Sequence, residues 1–226
     1  DKTKDIELPY EIEHIYPDYS IYGITDTAYG FLSRGCPRGC HFCHVESKEG
    51  RKSYKVADLN EFWNGQKNIV ICDPNILAWK NLLQQLIDSN AWVDINQGLD
   101  IRLVTEEKAK MIKKLKIKEL HFAWDRYQDK DIIIPKFKMF KELTQIDIRK
   151  LIVFVLCNFD TSIDQDLERI YTLREIGYWP FVMLYDKEHI PKGHVLRKMQ
   201  RWVNNRFIFA KCNCFVKSLN RQSGGE

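Results

Sequence analysis

Six short apolar runs, at residues 28–33, 68–73, 92–96, 119–124, 151–158 and 180–185, alternate along the chain with segments whose apolar positions recur every three to four residues. The first pattern predicts strands and the second predicts helices. The helical segments are 56–64, closed by Gly65, and 76–89, with Ile76, Trp79, Leu82, Leu83 and Leu86 on one face. They continue with 106–115, started by Thr105, then 135–143, then 162–176 with a Ser162/Gln165 capping box and Gly177 after its end, and finally 194–205. Regular alternation of strand and helix predicts βαβ units and a parallel sheet. Several strand runs are unbroken, which predicts cover on both faces. Six units of about 33 residues fall short of the eight in a closed barrel. The expected fold is therefore α/β, a partial (β/α)6 TIM-like barrel with outer helices.

No Pro/Gly/Ser-rich linker interrupts the pattern, so the expected organisation is a lead-in at 1–27, one barrel domain at 28–211 and a tail at 212–226. The end of that tail, 222–226, reads as unstructured, and the start on Asp1 without an initiator Met reads as a truncated beginning. The longest apolar run has seven residues, far below the ~18 of a membrane-spanning helix, so no membrane partner is expected. With 44% hydrophobic residues the chain can build a core without disulfides. Its odd count of seven cysteines then points to a reducing, cytoplasmic setting. A net charge of +4 is too mild to announce nucleic acid by itself.

Three of the cysteines change this picture. The segment Ser33-Arg-Gly-Cys36-Pro-Arg-Gly-Cys40-His-Phe-Cys43-His44 spaces them as C-x3-C-x2-C immediately after the first predicted strand. Three thiolates on an iron–sulfur cluster of four irons leave one iron open to another ligand. Gly35 and Gly39 allow the backbone to turn tightly, and the loop lies where α/β barrels place active sites. The alternative on these residues is a zinc site completed by His41 or His44, giving a non-catalytic metal-binding module.

This segment resembles the radical SAM superfamily, whose members carry the same spacing with an aromatic residue, here Phe42, before the third cysteine. The resemblance implies that Cys36, Cys40 and Cys43 hold a 4Fe-4S cluster and that S-adenosyl-L-methionine (SAM) binds the fourth iron. It implies reductive cleavage of SAM to a 5′-deoxyadenosyl radical that abstracts hydrogen from a substrate. An electron donor such as flavodoxin or ferredoxin is then a partner. Phe42 occupies the position set against the adenine. Asp73 and Asn75 stand where relatives carry a motif that holds the SAM ammonium, although Asp73-Pro-Asn75 departs from that motif and also reads as a helix cap. Gln97 and Arg102, together with Asn96 and Asp100, form a dense polar stretch after the third strand that is expected to face the pocket or brace it. Asp125 and Arg126 end the fourth strand, suiting ribose hydroxyls and a carboxylate respectively. Asn158 ends the fifth, beside the adenine, and Tyr185-Asp186-Lys187 ends the sixth, toward the substrate. The phrases 73–77, 96–102, 158–161 and 181–187 resemble a group of radical SAM proteins related to the cobalamin-binding and methylthiotransferase branches. In that group a cobalamin-binding segment commonly precedes the barrel, which agrees with the abrupt start at Asp1.

The substrate is open among peptide, RNA and small molecule, and an inactive truncated remnant is a further alternative. Cys72, Cys157, Cys212 and Cys214 are scattered and supply no second three-cysteine run for an auxiliary cluster. Six lysines between Lys108 and Lys118 read as a solvated helix face. A second basic stretch, Arg197 to Lys211, accompanies Trp202 and Phe207 and could meet RNA or an acidic peptide.

Overall fold

The computed structural model describes residues 8–79 and 82–216. In chain order the strands are β1 (Thr27–Gly30), β2 (Ser33–Arg34), β3 (Tyr54–Lys55), β4 (Asn68–Ile71), β5 (Trp92–Leu99), β6 (Lys116–Ala123), β7 (Leu151–Cys157) and β8 (Trp179–Leu184). The helices are α1 (Tyr10–Glu13), α2 (Val45–Glu49), α3 (Leu82–Ser89), α4 (Glu106–Lys114), α5 (Lys130–Thr144), α6 (Ile163–Glu175), α7 (Val195–Asn204) and α8 (Arg206–Lys211). Six strands pair in the order β1-β4-β5-β6-β7-β8, each parallel to the next, while β2 and β3 form a separate antiparallel ribbon. The six strands read from the sequence are therefore the six of the main sheet, in sequential order without reversal.

Burial alternates along these strands. Val93 and Ile95 of β5, Leu120 and Phe122 of β6, and Val182 and Leu184 of β8 are buried, while Asp94, His121, Phe181 and Met183 between them are partly open or exposed. The buried set packs on the helices: Phe122 meets Phe137 and Phe140 of α5 edge to face, with ring centroids 5.7 and 5.1 Å apart. The expectation of cover on both faces is corrected by this alternation. Unbroken runs arise because the open face is itself apolar in places, with Ile152, Phe154 and Leu156 on β7.

Four boundaries also differ from the sequence reading. The first strand stops at Gly30, because Asp73 captures the backbone N–H groups of Leu32 and Ser33 and turns the chain into the β2–β3 ribbon. The expected helix at 56–64 is only a 3-10 turn, Leu59–Glu61. Val56 still donates to Leu32 as an extension of the ribbon, and Asp58 and Glu61 close the turn on itself as a capping box. The segment at 76–89 begins as a 3-10 turn, Ile76–Ala78, before α3, with residues 80 and 81 outside the described set. Helix α5 starts five residues ahead of the predicted 135, carrying Pro135 within it. The capping box at Ser162 and the left-handed Gly177 are as read. The predicted tail end at 222–226 lies outside the described residues.

Both edges of the main sheet are closed by side chains. On β1 the Tyr19 hydroxyl accepts from the Tyr29 N–H (3.0 Å) and has its one proton between the Phe62 carbonyl (2.8 Å) and the Tyr29 carbonyl (3.1 Å). On β8 the Asn204 amide accepts from the Val182 N–H (2.8 Å) and donates to the Val182 carbonyl (3.0 Å), to which Gln200 also donates. Two residues earlier Pro180 has no N–H to offer. Unpaired edges template association, and at Tyr29 and Val182 the edge is occupied. Asn204→Ala is expected to lower stability by about 1–2 kcal/mol and to speed hydrogen exchange at the Val182 amide. Unchanged exchange at that amide would contradict the capping role.

Candidate functional site

The three cysteines sit on the loop between the β2–β3 ribbon's first strand and α2. Gly35 and Gly39 both have positive φ, 76° and 57°. A Cβ at Gly35 would stand 2.2 Å from the Lys52 carbonyl oxygen, so the loop passes the ribbon's return chain where only glycine fits. Glu49 fixes this crossing, accepting from the Gly35 N–H and from the Arg34 guanidinium, both at 2.9 Å. Between the last two cysteines the chain makes a turn, with the Cys43 N–H donating to the Cys40 carbonyl at 2.9 Å.

The loop is held against the carboxyl ends of the strands one after another. After β4, the Asn75 amide nitrogen donates to the Cys36 sulfur at 3.6 Å. Asn75 is buried, and among the described residues its Oδ1 has no hydrogen-bond partner. After β5, Asp100 accepts from Arg38 of the loop and from Arg102, whose other arm reaches Asp129 at 2.5 Å. After β6, Asp125 lies within electrostatic reach of Cys40, Arg102 and Arg169. After β7, the Phe159 ring meets Phe42 edge to face at 5.3 Å and Tyr185, after β8, at 4.8 Å. In a flat sheet β1 and β7 would stand four strand spacings, about 19 Å, apart. Phe42 crosses that distance on the loop, twelve residues beyond the end of β1.

Asp73 is 1% exposed, and its oxygens accept from the Leu32 N–H (2.8 Å), the Ser33 N–H (2.7 Å) and the Ser33 hydroxyl. It braces the start of the loop and does not cap the following 3-10 turn, whose N-cap residue is Asn75. Gln97 and Asn96 are exposed on the open end of β5. Arg126 is exposed too, and its carbonyl accepts from the Trp124 indole. Asn158 adopts a left-handed conformation, φ 66°, and its amide donates to the Tyr185 carbonyl at 3.1 Å, tying the ends of β7 and β8. The structure thus gathers Cys36, Cys40, Cys43, Phe42, Asn75, Arg102 and Asp125 around one loop, whereas Asp73 lies beneath it and Gln97, Arg126 and Asn158 stand open around it.

Three groups escaped the sequence reading: Arg38, Glu49 and Arg169. Arg169 of α6 is fully buried and donates to the carbonyls of Trp124 (2.7 Å), Asp125 (3.0 Å) and Leu156 (2.7 Å) and to Asp166 (2.6 Å). The available signal was an Asp166/Arg169 pair on a helix whose next apolar positions, Ile170 and Leu173, are core residues.

Neither a protein-family model nor a curated protein matches this chain. The site therefore has to be judged on its own chemistry. Among the described residues no three His, Cys, Asp or Glu side chains converge as ligands of a single metal ion. In a cluster each thiolate would take its own iron, whereas a zinc ion would need its ligands to meet at one point. Three thiols, two glycines in the left-handed region and an unpartnered buried amide oxygen beside Cys36 fit such a group. Burial, then Asp125 and the other two thiols, push the Cys40 thiol up, against the lowering effect of Arg102.

Burial also pushes Asp73 up to about 6, against the lowering effect of its hydrogen bonds. A carboxyl whose folded value lies above its unfolded value, here 3.8, contributes stability that is present below the unfolded value and lost as pH rises through the folded one. Between about pH 4 and 6 Asp73 should therefore cost the fold up to about 3 kcal/mol. Urea unfolding of Asp73→Asn is expected to show a flatter stability profile across this window, and parallel profiles would contradict it.

Proposed function

We propose that this chain is a radical SAM enzyme, built as a partial (β/α)6 barrel whose open face receives the substrate. The observation that carries the reading is the C-x3-C-x2-C loop seated across the carboxyl ends of successive parallel strands, with a free amide oxygen beside its first cysteine. Sequential parallel order and helices packed against one face support that architecture. Cys36, Cys40 and Cys43 would hold a 4Fe-4S cluster. When bound, the cluster and SAM supply reductive cleavage of the sulfonium and hydrogen abstraction.

The chain's own residues bind and orient. Asn75 offers its unpartnered Oδ1 to an ammonium. Phe42 and Phe159 present an aromatic corner to a planar base. Asp125 is available to hydroxyl donors, and the exposed Arg126 offers its guanidinium to a carboxylate. Arg102 and Arg38, bound to Asp100, bring positive charge to the loop and offset the negative charge of thiolates.

Anaerobic reconstitution should load about four irons per chain, with formation of 5′-deoxyadenosine on addition of SAM and dithionite. Replacing Cys36, Cys40 and Cys43 together by Ala should abolish both. Retention of a full cluster by that variant, or stoichiometric zinc in place of iron, would overturn the proposal.

A further inference from the structure

We infer that the groove between β8 and α7 binds single-stranded nucleic acid. The groove has a volume of about 820 Å³ and is lined by five cations, Lys187, Lys192, Arg197, Lys198 and Arg201, with no carboxylate among its lining residues. Lys187, Lys192, Lys198 and Arg201 are exposed, and among the described residues none of them forms an ion pair. Arg197 plays a structural part instead, donating to the carbonyls of Ile190 and Lys187 at 2.7 and 2.8 Å, and so fastens the loop that carries Lys187 and Lys192 to α7. An uncompensated cationic groove of this kind attracts a polyanion.

The aromatic surroundings decide which polyanion. Phe181 and Met183, both exposed, lie on the groove's β8 side. Phe181 is shared with a second cavity of about 300 Å³, whose lining includes His121, Phe154 and the Glu119–Arg206 ion pair. Those two rings lie parallel, 5° apart in plane and 5.3 Å between centroids, and Phe154 meets Phe181 edge to face at 5.8 Å. At the other end the groove reaches Lys187, two residues from Tyr185 and its contact with Phe159. Cations that track a backbone, beside an exposed ring such as Phe181 on which a base can stack, are the two components of sequence-tolerant binding to single strands. An acidic protein would use the cations and leave the rings idle. Trp202, which the sequence places in this basic stretch, is buried against Phe209 and Phe215 and takes no part.

Fluorescence anisotropy of the full chain with labelled oligouridine and oligodeoxythymidine tests this, the pair distinguishing RNA from DNA. No SAM or reductant is needed, so failure here leaves the reading of the cysteine loop untouched. Binding should weaken steeply with salt. Changing Lys187, Lys192, Lys198 and Arg201 together to Gln should weaken it at least about tenfold and reduce the salt slope by about 0.7 per cation removed. Phe181→Ala should cost roughly tenfold through lost stacking, with the melting temperature of each variant confirming that it folds. As a control, Lys114, Lys116 and Lys118, exposed on the other basic stretch, should be replaceable by Gln without effect. The proposal is overturned if neither oligonucleotide binds, if the control variant loses as much affinity as the groove variant, or if Phe181→Ala binds as tightly as the native chain. It is also overturned if polyglutamate binds as tightly as the oligonucleotides, which would assign the groove to acidic proteins.

Discussion

Arg169→Ala should destabilise the fold by about 3–5 kcal/mol, the range for removing one partner of a buried ion pair. The guanidinium is 0% exposed and binds three main-chain carbonyls from the ends of β6 and β7 together with Asp166. Without it those carbonyls lose their donor in a dry interior, and the 1% exposed Asp166 carboxylate keeps only the Thr161 hydroxyl, at 2.6 Å. For a chain of this size the loss corresponds to a fall in melting temperature of roughly 10 °C. Lysine retains the charge but not the planar fork, so Arg169→Lys should recover only part of it. Urea unfolding measures both variants, and a loss below about 1 kcal/mol for Arg169→Ala would show that the clamp contributes little. Because Asp125 sits directly on the clamped strand end, the same variant should also disturb the surroundings of Cys40.

Gly35→Ala should leave the core intact and disable the cysteine loop. The new methyl would lie 2.2 Å from a backbone oxygen, which cannot swing away as a side chain can. A φ of 76° adds about 1–2 kcal/mol for any residue with a Cβ. The ribbon must part to relieve the contact, and the Glu49 anchor is lost with it. Iron loading is expected to fall below one iron per chain, with faster proteolysis of the loop as a readout independent of metal. Gly65 has a similar positive φ, 84°, but open space at the Cβ position and no place in the loop. Alanine there should cost only the conformational strain and leave loading unchanged. Equal loading by Gly35→Ala and Gly65→Ala would remove the packing argument.

The sheet was legible because each strand carries its own signal, a short apolar run bounded by turn residues, and no distant contact is needed to recognise it. The cysteine loop was legible for the same local reason, as spacing along a few residues. What the sequence concealed depends on partners far apart in the chain. Asp73 looks like the start of a helix, yet it is claimed by N–H groups some forty residues earlier. The apolar residues at 56–64 have helical spacing, but ribbon pairing at Val56 holds the segment's start extended. Arg169 reads as an ordinary charged position on α6, and only the convergence of two strand ends makes it a clamp. Phe42 was singled out by its place before Cys43, whereas its neighbour Phe159 became visible only once the fold brought β7 beneath the loop.

The two side chains that finish the sheet act on it as chain stoppers act on a growing polymer. Tyr19 at one end occupies the outward N–H of Tyr29 and Asn204 at the other occupies the outward N–H and carbonyl of Val182, so at those residues an incoming strand would have to compete for its hydrogen bonds. A further strand added beside β8 would have to displace Asn204 from Val182 and would find no N–H at Pro180.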